Sequence, residues 1–265
     1  MLLPWMEEEI SSIRPVTKMK SALNRLSLLA YLVTLTSMTT AQDSPNPYPG
    51  TVEISAHRLA KDFIPDGDLD KTVWHNAQRQ SFDHDWSGQK RFPEAHTEIA
   101  TLWTPEYLYV AFWCKYTVLN VYEGEDPAKE RWELWDRDVV ELFALPEPKN
   151  INHYYEFEVA PNNQWVDLEI DLSKKPFNDS KWNSGFEHAT RIDREKRVWT
   201  CEMRIPIRAM TKSRIHAGDM WRVNFFRAHG LGDDTSRQFL SWSPVLGSTA
   251  NFHVPARFGK LRFAE

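Results

Sequence analysis

Cysteine is scarce in this sequence. The two present, Cys114 and Cys201, stand in no C-x-x-C or similar spacing, which excludes a zinc ribbon and a dithiol redox motif. Each lies among apolar, strand-forming neighbours and reads as a buried free thiol, with a single disulfide as the alternative. The nine histidines form no H-x-H or H-E-x-x-H pattern, so a zinc hydrolase is not indicated. No G-x-S-x-G elbow occurs. Cations are not clustered and the formal net charge is −5, which speaks against a nucleic-acid partner. The longest apolar run, Leu26–Met38, is too short to cross a bilayer comfortably. There is no internal repeat and no low-complexity tract.

Tryptophan is in excess, with twelve among 265 residues. Most are expected to fill a β core, and a few to lie on the surface as stacking platforms. The hydrophobic share of 42% is that of a folded protein.

The N-terminus reads as a targeting segment. Met19-Lys20 and Arg25 supply a basic n-region, Leu26–Met38 an apolar h-region, and Thr39-Thr40-Ala41 a small-residue cleavage site. Residues 19–41 are therefore expected to be a signal peptide. The localisation that follows is secreted or periplasmic, with no membrane span in the mature protein. Glu7, Glu8 and Glu9 do not suit an n-region, so residues 1–18 read as a gene-model extension with Met19 as the true start. Residues 42–50 (QDSPNPYPG) read as a linker and residues 51–265 as one domain.

That domain reads as strands with period two. They are Thr97–Trp103, Leu108–Lys115 (with Leu108, Val110 and Phe112 on one face), Asp138–Ala144, His153–Ala160, Trp165–Leu172, Phe186–Ile192, Arg197–Ile205, Trp221–Ala228 and Gly259–Phe263. Ile207–Thr211, after Pro206, reads as a short helix. No long 3.6-period segment appears. The fold class is all-β, an antiparallel β-sandwich with at most short helices.

The hairpin 154–171 is rich in acids. A four-residue loop, 161–164, sets Glu158 opposite Asp167 and Glu156 opposite Glu169. Phe157 and Val159 then share a core face with Val166, Leu168 and Ile170. Glu156, Glu158, Asp167, Glu169 and Asp171 fall on the other face, where like charges repel. Three readings remain open: a face paired to Arg204, Arg222 and Arg227; a hydrogen-bonding surface for sugar hydroxyls; or a catalytic carboxylate pair for glycoside hydrolysis.

Two other segments carry candidates. Asp66-Gly67-Asp68-Leu69-Asp70 places hard oxygen donors close together, which makes Asp66, Asp68 and Asp70 candidate calcium ligands. The glycine position and Ala77 at the twelfth residue break the EF-hand pattern, and a tight turn is the competing reading. The long charged stretch Tyr122–Asp138 bears Trp132 and Trp135 and reads as a binding loop, with at least one tryptophan capping the core. His253 reads as a loop-tip residue.

Several marks occur together in one order: Asp66-Gly67 with Asp70 and Trp74, Tyr107–Phe112, Val118-Leu119-Asn120, Trp135-Asp136-Arg137-Asp138 followed by Val140–Phe143, Tyr154–Val159, Ser241-Trp242-Ser243-Pro244, and Phe252–Leu261. In these the sequence resembles the family 9 carbohydrate-binding modules of the DOMON-like, jelly-roll-like sandwich group, from about Ile64 to Phe263. The resemblance implies a sandwich that clamps a sugar ring between two aromatics and performs no catalysis. Trp135 stands at one platform. The second platform, normally tryptophan, is Phe252, beside His253. Glu141 matches a ligand-bonding carboxylate, and Glu158 stands where the family has an arginine. The ligand-binding candidates are thus Trp135, Glu141, Glu158, Phe252 and His253. The resemblance also implies structural calcium, without assigning its ligands. Its expected partner is an oligo- or polysaccharide such as xylan, with glycoside hydrolases as further partners in polysaccharide breakdown. The alternatives are a glycosidase using the 154–171 hairpin, and a haem-binding electron-transfer domain drawing on Met203, Met210 or Met220.

Overall fold

The computed structural model describes residues 52–124, 126–233 and 236–265. The expected extension, signal peptide and linker lie outside them. The described residues form one compact unit.

Thirteen strands make up its framework: β1 (Glu53–Arg58), β2 (Arg79–Phe82), β3 (Thr97–Trp103), β4 (Tyr107–Lys115), β5 (Val139–Leu145), β6 (His153–Val159), β7 (Trp165–Asp171), β8 (Asn178–Asp179), β9 (Glu187–Asp193), β10 (Val198–Pro206), β11 (Met220–His229), β12 (Gln238–Ser241) and β13 (Gly259–Ala264). Two one-turn helices accompany them, α1 (Thr72–His75) and α2 (Ile207–Met210). The strand order is β8-β7-β6-β5-β11-β13-β1-β3-β4-β10-β9, with β12 on β11 and β2 on β3. Most pairs are antiparallel. β1 is the exception: it runs parallel to both β13 and β3 and joins the two halves of the sheet.

Alternation along each strand then decides which side is buried where. Val140 and Leu142 of β5, Phe157 of β6 and Phe225 of β11 meet Ile99, Val110, Phe112 and Met203 from the other half in the main core. The strands β5, β6, β7 and β11 are also buried on their outer face. There Phe143, Tyr154, Leu168, Phe226 and Phe258 form a second cluster beneath loops. A third cluster, around Trp74 and Tyr109, covers the outer face of β3 and β4. Trp74, Trp103, Trp199, Trp221 and Trp242 are buried, as expected of core filler. Cys114 and Cys201 are buried free thiols.

The nine expected strands are present within a residue or two of their predicted ends, as is the helix after Pro206. The short strands β1, β2, β8 and β12 were not predicted. The hairpin register differs from expectation. Asn163 adopts φ 68° and Ala160 N–H donates to Gln164 O (2.8 Å), so the hairpin closes on Ala160 and Gln164 and its loop, 161–163, holds one residue fewer. Glu158 therefore pairs with Val166, Phe157 with Asp167 and Glu156 with Leu168. A one-residue slip turns every side chain to the other face. The predicted acidic face does not exist: Glu156 and Glu158 project to the outer cluster, and Asp167, Glu169 and Asp171 lie on the opposite side. The arginines expected to neutralise it are engaged elsewhere. Arg204 pairs with Glu187 (2.5 Å), Arg222 donates to Phe258 O, and the buried Arg227 donates to Ala95 O, Thr97 Oγ1 and Lys115 O.

The Asp66–Asp70 segment is a turn built around Glu202. This fully buried carboxylate accepts from Asp66 N (2.9 Å), Gly67 N (3.2 Å), Lys71 Nζ (2.7 Å) and Trp74 Nε1 (2.7 Å). Gly67 has φ 75°, and a Cβ there would stand 2.9 Å from the backbone of Thr190. Glu202→Ala leaves these donors without an acceptor. It should lower unfolding free energy by about 3–5 kcal/mol in urea denaturation; a loss below about 1 kcal/mol would contradict this account.

His188 sits between Trp165 and Phe186, with Nδ1 3.0 Å from Asn163 Oδ1. Burial lowers its pKa from 6.5 to about 4. Between these values the folded state binds fewer protons than the unfolded chain, so stability is full above pH 6.5 and falls as pH drops toward 4. The melting temperature of His188→Gln should be less sensitive across that window than the parent's. Equal slopes would refute the burial effect.

Candidate functional site

The outer face of β5, β6 and β11 opens into a cavity of about 620 Å³. Its floor is set by strand pairing. Glu141 of β5 lies between Phe226 of β11 and Glu158 of β6, and Phe143 lies opposite Glu156. Glu141 and Glu156 line the cavity together with Phe143 and Leu168. Glu158 is not on its wall; it stands beside Glu141 on the same sheet face, with 0% exposure. One carboxylate oxygen from each of the three lies within 4.8 Å of the others.

This cluster is poorly satisfied. Among the described residues no N–H or hydroxyl reaches either oxygen of Glu158, nor Glu141 Oε1 or Glu156 Oε2. Burial first, and then the charge of Glu156, raise the Glu141 pKa well above the ordinary range, with Arg237 opposing. Burial likewise raises Glu158, followed by the charges of Glu141 and Glu156, a hydrogen bond with Glu156 and the charge of Asp136.

The walls are aromatic. Trp135 enters on a 3₁₀ turn, Leu134–Asp136. Glu133 at φ 62° starts the turn, buried Leu134 roots it in the outer cluster, and Trp135 O accepts from Arg237 Nη2. The turn is tied down from behind by Asp138, which accepts from Asn120 N (3.1 Å) and Gly230 N (2.8 Å). The exposed Trp132 packs edge-on against Trp135 at 5.0 Å. Phe252 stacks one ring face on Phe226 (4.1 Å, 11°) and lines the cavity. His253 contacts Phe143 and Phe177, and its Nδ1 shares a 2.7 Å hydrogen bond with Tyr154 Oη. Trp86, Asp136 and Phe239 complete the lining.

Trp135, Glu141, Phe252 and His253 are thus brought to one cavity, with Glu158 buried beside Glu141 and off the lining. Sequence reading gave no separate role to Glu156, although it was visible in the acidic hairpin. Trp86 and Phe239 were missed, since nothing in a loop or a four-residue strand marks a cavity wall. The Asp66–Asp70 turn lies elsewhere. Asp66 pairs with Lys71 (2.8 Å) and Arg191 (3.7 Å), and Asp68 with Arg191 (3.1 Å). Cations already meet these carboxylates, so this set does not fit a calcium ion.

Removing the Tyr154 hydroxyl frees the His253 loop from β6. Tyr154→Phe should cost about 1 kcal/mol in chemical denaturation, and no measurable loss would show that this bond does not hold the loop.

Comparison with known proteins gives the same site a context. The family model described as carbohydrate family 9 binding domain-like matches residues 64–265. An "extracellular protein" of Arthroderma benhamiae is 25% identical over 197 residues, covering 69% of this chain and 84% of that protein. Among solved structures, a Bacteroides uniformis protein superposes with TM-score 0.63 at 20% identity, covering 81% of this chain and all of the other. A family 9 carbohydrate-binding module of Caldicellulosiruptor kristjanssonii, solved with cellotriose, superposes with TM-score 0.57 at 15% identity, covering 80% and 94%. A second structure holds glucose.

Proposed function

The chain belongs to the carbohydrate family 9 binding domain-like family, and from that premise we propose that the cavity over β5 and β6 binds a saccharide without transforming it. Trp135 and Phe252 cover the apolar C–H faces of a sugar ring, and Glu141, Glu156 and Asp136 accept from its hydroxyls. The observation that carries this reading is the convergence of two aromatic loops over buried acceptors in one cavity. A relative of the same fold holds cellotriose and glucose, which makes β-linked glucose oligomers the first ligands to test.

Two other readings lack support in the geometry. A glycosidase needs two carboxyls facing the substrate, one kept protonated and one ionised. Of the three here Glu158 does not line the cavity, and burial raises Glu141 and Glu158 in the same direction. Haem ligation by methionine in this cavity lacks support too. Met203 and Met210 are buried in the main core, Met220 is exposed on β11, and among the described residues no methionine lines the cavity. The protein acts outside the cell, a view supported by the leader-like residues 19–41 and by the description of the Arthroderma benhamiae relative. There it serves polysaccharide breakdown beside glycoside hydrolases.

Calorimetric titration with cello-oligosaccharides tests the reading. Trp135→Ala should weaken binding by roughly tenfold or more while the denaturation midpoint stays near the parent's, because Leu134 and Asp138 still anchor the turn. Parent-like affinity in the variant, or no saccharide bound by the parent, would refute the proposal.

A further inference from the structure

We propose that Glu141, Glu156 and Glu158 hold a divalent cation of the calcium type at the floor of the cavity, and that hydroxyls of the bound saccharide complete its coordination. The second half rests on the carbohydrate reading above; the first stands without it.

Three observations converge. The first is spacing. One oxygen from each carboxylate lies within 4.8 Å of the others. Two oxygens on one calcium ion at up to 2.6 Å span at most about 5.2 Å. The second is the orphaned state of Glu158. It is fully buried beside the two carboxylates that face the cavity, and no N–H or hydroxyl among the described residues meets either of its oxygens. A buried carboxyl of this kind is met by a proton or by a counter-charge, and the oxygens of the other two carboxyls beside it favour the second when an ion is present. The third is charge balance. Arg237 is the cation acting on Glu141, and its guanidinium donates to Trp135 O. Three buried carboxylates side by side repel one another, and a dication offsets that repulsion. Asp136, half-buried at the rim, adds a further acceptor.

The donor set is all oxygen, which selects a hard ion over zinc or copper. Three carboxylates leave part of a six- to eight-fold shell open. The open side faces the cavity, where water or sugar hydroxyls have access. Glu202 provides the internal contrast, being as deeply buried but saturated by four donors.

The test is calorimetric titration of the chelator-treated chain with CaCl₂ alone, in the parent and in Glu158→Gln. Glu158 does not line the cavity, so its substitution leaves the sugar-facing surface intact. One ion per chain should bind the parent, and Glu158→Gln should bind at least tenfold more weakly. The variant should melt no lower than the parent in chelator, because it removes an unmet charge, and only the parent should gain melting temperature with calcium. Cellotriose affinity of the parent should fall about tenfold in chelator. No calcium uptake at about 1 mM, the weak end for extracellular calcium modules, or equal uptake by the variant, overturns the cation site. Tighter binding of glucosamine oligomers than of cellotriose by the metal-free protein also overturns it, in favour of an ammonium group. Calcium bound by the parent with no saccharide bound, with or without the ion, refutes the carbohydrate reading and the hydroxyl coordination while upholding the cation site.

Discussion

A carboxylate taken out of water has to be met by donors or by a cation. Two glutamates in this sheet are fully buried, and the chain treats them in opposite ways. Glu202 on β10 collects two backbone N–H groups, an indole and an ammonium, and so fixes the 66–74 segment onto the outer face of β4 and β10. Glu158 on β6 meets no such donor and stands beside Glu141 and Glu156. The first arrangement is complete by itself and accounts for a loop. The second is incomplete, and it lies under the one large cavity with an aromatic lining among those described.

The sheet topology explains why that cavity is there. β5, β6 and β11 face the main core on one side, which leaves the other side apolar and in need of cover. No helix covers it. Loops do, and each brings an aromatic: Trp135 from the turn before β5, Phe252 from the turn before β13, and Trp86 from the loop after β2. Loops that meet over a sheet without filling the space between them leave a concave site. The conformations of these loops are tightly held. Trp135 is fixed by a left-handed residue before it, a buried leucine beside it and the Asp138 hydrogen bonds behind it.

Much of this was legible in the sequence. Alternation located the long strands because each has at least one face against a core, and short edge strands such as β8 and β12 carry too few residues to alternate. Trp135, Glu141, Phe252 and His253 were identified through resemblance and do share one cavity. The hairpin differs for a single physical reason: Asn163 takes a left-handed conformation and the loop closes one residue shorter, on Ala160 and Gln164. The meeting of Glu141 with Glu158 and of Phe143 with Glu156 depends instead on the register between β5 and β6. Long-range register of this kind is written in no local pattern. Neither is the partnering of Arg227, whose guanidinium ends on two backbone carbonyls and a threonine rather than on an acid.

The most direct test of the central claim is a crystal structure of the chain grown with cellotriose and calcium. The account predicts a glucose ring lying flat against Trp135, in the cavity over β5 and β6, with hydroxyls directed at Glu141 and Glu156. A saccharide bound on another surface, or a cavity that stays closed to sugar while ligand binds elsewhere, would contradict it.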